Sequence, residues 1–163
     1  MTTTVATYAD TNYEVYDGVE NHTYFPNSRR GYKSVCTSAC LGTLGIPPSA
    51  YHYCAHRDQR DSVLRRSGYA VRSRVSHTKK AKTVNQLRPL LRKNREKWGD
   101  ARVGAVYLVT VTCPPNDDGP GGRHLILLNH LGETVTDTAP VKDTARDDRQ
   151  VNHVQAVFPK CYR

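Results

Sequence analysis

A chain of 163 residues has the size of one domain. Its apolar content of 37%, under the ~45–50% usual for globular chains counted with Gly, predicts a modest core in which ten Tyr share the aromatic packing with one Trp and two Phe. No basic-then-apolar leader opens the sequence, and no run approaches the ~18 apolar residues of a membrane span, so neither a secretory signal nor a spanning helix is expected and the cytoplasm is the expected compartment. The five cysteines, at 36, 40, 54, 113 and 161, fit no small disulfide scaffold, which makes each a small core hydrophobe or a nucleophile in a reducing environment.

The net charge of +9 is concentrated in the middle third: residues 57–102 carry 15 Lys or Arg against 4 Asp or Glu, while each flanking segment is close to neutral. A block of this kind attracts nucleic acid or an acidic protein, or serves as a solvated face.

In chain order, residues 1–33 are polar with scattered Tyr and read as a segment wrapping the domain, with Tyr13–Tyr16 as a short strand. From Ser34, the spacing of Val35, Cys36, Ala39, Cys40, Thr43 and Leu44 predicts a buried helix over 34–45, capped by Ser34 and stopped at Gly45 and Pro47-Pro48. A second helix is predicted from Ser49 to about Arg66, ended by Gly68. Tyr69 to Val75 then alternates as a strand with Arg72 and Arg74 on one face. After the basic loop 77–82, Thr83 and Gln86 match a capping box ahead of Leu87, Leu90, Leu91 and Trp98; Pro89 moves the expected helix start toward Arg88. Beyond Gly99 the pattern is β: Val103–Thr112, a Pro-, Asp- and Gly-rich loop at 114–122, His124–Leu128, a turn at Gly132, Thr134–Thr138 and Val151–Phe158. Helices followed by an antiparallel sheet make the fold class α+β: a helical part over 34–100 and a β part over 103–163 in a single domain.

Chemistry is suggested by three residues taken together. A cysteine nucleophile needs its thiolate, which the unpaired amides at a helix start favour, and Cys36 is so placed while Cys40 lies one turn further in. The base and the group that orients it come from elsewhere in the chain. Pairing the strand that opens with His124 against the one that ends at Asp137 brings those two residues opposite each other.

At this point the chain resembles the papain-like cysteine peptidase superfamily, and in particular the small papain-like proteins of tailed bacteriophages. The resemblance is carried by the helix from Cys36 to Gly45-Ile46-Pro47, the basic variable middle, and Arg123-His-Leu-Ile-Leu-Leu-Asn followed by a turn and Thr136-Asp-Thr138, over about residues 30–140. It implies a papain-like fold and a thiol hydrolase that cleaves a peptide or isopeptide bond, with Cys36 as nucleophile, His124 as general base and then acid, and Asp137 as the orienting carboxylate. No cofactor or metal is implied, and the compartment becomes a host cytoplasm or a virion. One part of the pattern is missing: such proteins commonly take an oxyanion donor from a Gln shortly before the nucleophile, and residues 1–35 contain none. Asn27 and Ser34 are the candidate replacements beside the Cys36 amide, and losing one such donor typically costs about a hundredfold or more in rate.

The same residues have rival uses. A non-catalytic virion protein with this fold would hold nucleic acid or an acidic partner through Arg72, Arg74, Lys79, Lys80 and Lys82, or contact other virion proteins. A cell-wall peptidase of the same clan more often has His as its third member. A zinc site from Cys36, Cys40, Cys54 and His56 has poor spacing for a tetrahedral knuckle, and Gly119-Pro-Gly-Gly122 lacks the strand-to-helix context of a phosphate loop. His52, His56, His77, His130 and His153 have no periodic partners and read as surface or loop residues.

Overall fold

Strand residues that alternate between two apolar faces need a covering layer on each side, and this chain supplies both. The computed structural model describes residues 36–37, 39–46, 57–73, 78–100, 104–114, 122–139 and 141–160. The residues expected to form the wrapping segment (1–33), the start of the first helix, the first half of the second and the loop at 115–121 lie outside them, as does Arg74. The elements are helical residues 36–37 and 39–43 (α1), Arg57–Arg66 (α2), Tyr69–Arg72 (β1), Val84–Asn94 (α3), Val106–Cys113 (β2), Gly122–Asn129 (β3), Thr134–Thr136 (β4), a 3-10 turn at Thr144–Arg146, and Gln150–Pro159 (β5). The five strands form one antiparallel sheet in the order β1-β5-β2-β3-β4. The protein is α+β, as the order of elements predicts.

The two faces of β2 sort the core. Val106 and Leu108 point to one side with Leu125, Leu127, Val135 and Val157, where Cys40 and Leu41 of α1, Leu44 just after it, and Val63 and Leu64 of α2 pack on them. Tyr107, Val109 and Val111 point to the other with Ile126, Leu128, Val154 and Ala156, under Val84, Leu87 and Leu91 of α3. The sheet is thus sandwiched between helices. Two boundaries differ from the expected division into a helical and a β part: β1 leaves the helical part to become an edge strand against β5, and α3 packs on the opposite face from α1 and α2.

Helix α3 also corrects the expected start. It begins at Val84 with Thr83 as its cap and carries Pro89 inside. A Pro in a helix interior costs about 3 kcal/mol, but three fully buried aliphatic side chains contribute about 1.5–3 kcal/mol each. The helix start is further fixed because the Val84 and Asn85 amides donate to the carbonyls of Arg149 (3.0 Å) and Asp147 (2.8 Å), which pins the segment leading into β5. The C-terminal end comes earlier than the apolar spacing suggests: Asn94 closes the helix by donating to the Leu90 carbonyl at 2.9 Å, the chain turns to Gly99, and Trp98 is left 45% exposed beside Lys97. His153, expected on a surface or loop, lies within β5 and is half-buried.

The β3–β4 turn needs Gly132 for two reasons. Its φ of +78° favours glycine, and a Cβ there would run into the backbone of Arg88. This close approach seats the hairpin carrying His124 and Asp137 against α3.

Candidate active site

The site forms where β4 stops short of the end of β3. Leu127 pairs with Thr136, but Leu125, two residues earlier on β3, lies beyond the last β4 pair and keeps its backbone groups on that side for another partner. Helix α1 supplies it. The Leu125 amide donates to the Cys36 sulfur, and the Leu125 carbonyl accepts from the Cys40 thiol at 3.8 Å. Helical spacing puts both sulfurs on one stripe, and the strand edge gives them different surroundings.

His124, beside Leu125, is also adjacent to Cys36 and bonded to it. Its Nε2 lies 2.8 Å from Oδ1 of Asp137, which directly follows β4. With Nε2 so occupied, Nδ1 is the ring nitrogen left to exchange a proton with the thiol. Asp137 is held in turn: its Oδ1 also accepts from the Ala139 amide at 2.9 Å, and its Oδ2 accepts from an Arg149 guanidinium nitrogen at 2.9 Å. The side chains of His124 and Asp137 are only 11% and 2% exposed, so these bonds work with little solvent screening.

The electrostatics follow from these contacts. Burial pushes the Cys36 thiol up, but the bond to His124, the attraction of the imidazolium, the Leu125 amide and the Thr37 hydroxyl outweigh it, and the net shift is downward. Burial disfavours the imidazolium of His124, yet its bonds to Asp137 and Cys36 bring its pKa up to about 9. Burial works against the Asp137 carboxylate too, but the His124 and Arg149 bonds keep it below its usual value. The arrangement therefore favours a thiolate–imidazolium pair backed by an ionised carboxylate, and the two titrations belong to the pair rather than to either residue. Cys40 behaves oppositely: burial and the nearby Cys36 raise it well above an ordinary thiol, so it stays protonated. Cys113, at the end of β2, is also raised by burial, although Arg149 hydrogen-bonds it.

The other predicted residues fall as follows. Asn27, Ser34 and Arg74 lie outside the described residues, as do Cys54 and His56 of the zinc alternative. Arg72 is exposed on β1 with its guanidinium 5.8 Å from the centre of the Phe158 ring, and Lys79, Lys80 and Lys82 are exposed in the segment leading to α3. The basic block is not wholly a surface, however. Arg60 is buried and donates to Gln155 at 2.7 Å; Arg88 is buried and donates to Gly132, Thr134 and Asp147. Among the described residues no group of three or more His, Cys, Asp or Glu is placed to hold a metal ion, and no helix is long and apolar enough to cross a membrane.

Sequence reasoning passed over Arg149, Asp147 and Arg88. A signal for the last was present: Val84, Leu87, Arg88 and Leu91 share one helical stripe, and a cation on an apolar stripe needs a buried partner. Set against protein-family models, curated proteins and solved structures, the chain finds no match.

Proposed function

We propose that the protein is a thiol hydrolase of the papain-like class, resembling the small papain-like proteins of tailed bacteriophages, that cleaves a peptide or isopeptide bond through an acyl-enzyme on Cys36. The observation that carries this reading is the contact of the Cys36 thiol with the His124 ring while Nε2 of that ring is 2.8 Å from Asp137. The Cys36 thiolate attacks the substrate carbonyl, and the proton held at Nδ1 of His124 passes to the leaving amine. His124, then neutral, takes a proton from water as that water attacks the thioester; the sulfur departs as thiolate with the acid product released, and the thiolate–imidazolium pair is restored. Asp137 keeps the Nε2 proton in place, so that Nδ1 is the nitrogen that exchanges protons with sulfur and substrate.

Labelling with iodoacetamide at pH 6, followed by peptide mapping, tests the assignment. Modification is expected at Cys36, with Cys40 and Cys113 spared; Cys36→Ala abolishes it and His124→Ala slows it by about a hundredfold, because the thiolate then loses its counter-charge. Preferential modification of another cysteine would sink the assignment.

A second reading is supported by the exposed cations Lys79, Lys80, Lys82 and Arg72. In it the same fold is a virion component that holds nucleic acid or an acidic protein, and binding to a single-stranded oligonucleotide weakens steeply with salt and is unchanged by Cys36→Ala.

A further inference from the structure

Asp137 is one member of a longer set of buried charges. Arg149 bonds Asp137 at 2.9 Å and grips Asp147 through Nε at 2.8 Å and a terminal nitrogen at 2.7 Å. Asp147 accepts a further bond from Arg88 at 3.3 Å. Arg88 donates from its other terminal nitrogen to the Gly132 carbonyl and the Thr134 hydroxyl, both at 3.0 Å. Thr134 opens the strand after which Asp137 stands, so the contacts close a ring: β4, Asp137, Arg149, Asp147, Arg88 and back to β4. The amides at the start of α3 hold the same segment by its backbone, at Asp147 and Arg149.

We propose that Arg149 is a positioning residue of this thiol site: clamped by Asp147, its guanidinium fixes the Asp137 carboxylate against His124 and shares its negative charge, thereby setting the pH at which the imidazolium gives up its proton. The proposal rests on the thiol-hydrolase reading. Charge balance gives it a sign. The groups facing His124 and Asp137 are Cys36 and Cys40 from α1, Cys113 from β2, Arg149 and Asp147 ahead of β5 and, one contact further, Arg88 from α3. Among them two carboxylates balance two guanidinium groups. Removing the Arg149 charge leaves an excess negative charge that favours the imidazolium; removing the Asp147 charge leaves an excess positive one that disfavours it.

The test measures the titration midpoint of the His124 ring by NMR, and the iodoacetamide reactivity of Cys36, in the full chain and in Arg149→Gln, Arg149→Lys and Asp147→Asn. Arg149→Gln is expected to move the midpoint alkaline and Asp147→Asn to move it acid, each by at least about half a pH unit. Arg149→Lys keeps the charge but not the two-pronged grip, so its midpoint stays near that of the parent while Cys36 reacts several-fold more slowly. A purely structural Arg149 would lower reactivity without shifts of opposite sign. Midpoints unchanged in the folded variants, or moving in one direction, overturn the proposal. Should Arg149→Gln fail to fold, Asp147→Asn and Arg149→Lys decide it by the same criteria. Failure of the underlying reading looks different: the parent protein itself would then show no preferential modification of Cys36 at pH 6.

Discussion

Replacing Asp137 by Asn removes one charge and little volume from a sheltered pair at the heart of the site. With Nε2 and Oδ1 2.8 Å apart, the charge centres are about 4 Å apart; at an effective dielectric of about 20 the attraction is about 4 kcal/mol, or roughly three pKa units. The amide retains a hydrogen bond to the ring, and Arg149 already draws off part of the carboxylate charge, so the net fall for His124 should be about two units. The imidazolium would then lose its proton near neutrality instead of at about 9. Because Cys36 owes its lowered pKa largely to that imidazolium, its thiolate fraction at pH 8, between the two midpoints, should fall as well, by about tenfold. NMR titration of the His124 ring reads the first effect and the rate of iodoacetamide modification the second. A midpoint within about 0.3 units of the parent would mean that Asp137 does not support the imidazolium, and the electrostatic account would fail.

Two further outcomes concern the frame around the site. Gly132→Ala forces a Cβ into the Arg88 backbone at a φ of +78°, and should destabilise the protein by about 2 kcal/mol or more in urea unfolding; a change under about 0.5 kcal/mol would show that the turn and α3 can separate freely. Gln155 is fully buried and joins Arg60 (2.7 Å) to Asp61 (2.8 Å), so Gln155→Leu should cost about 2–4 kcal/mol despite its greater hydrophobicity; a neutral or stabilising result would refute that bridging role.

Much of the architecture is local in origin. Short apolar, β-branched-rich runs within 106–113 and 122–129 mark strands without reference to anything distant, and the turn at Gly132 makes the hairpin that sets Asp137 beside His124. Thr83 and Gln86 mark the start of α3, where Thr83 accepts from the Gln86 amide at 3.3 Å; Pro89 sits inside the helix all the same, because burial of its stripe against distant strands outweighs the local propensity cost. The destination of β1 was hidden for a similar reason, since its four residues pair with the end of the chain, nearly ninety positions away.

For the candidate site the division is sharper. The sequence by itself determined the chemical types, a thiol on a small-residue helix and an imidazole and carboxylate on adjoining strands, together with the hairpin that pairs the last two. The helix start also singled out Cys36 over Cys40; only the tertiary structure decided what each sulfur meets and what holds the carboxylate. Cys36 and Cys40 share a helical stripe, and the end of β4 lets one take the Leu125 amide and the other its carbonyl. Arg149, Asp147 and Arg88 lie on segments that meet through the docking of α3, and charge compensation inside a core depends on distance in space, which spacing along the chain does not encode.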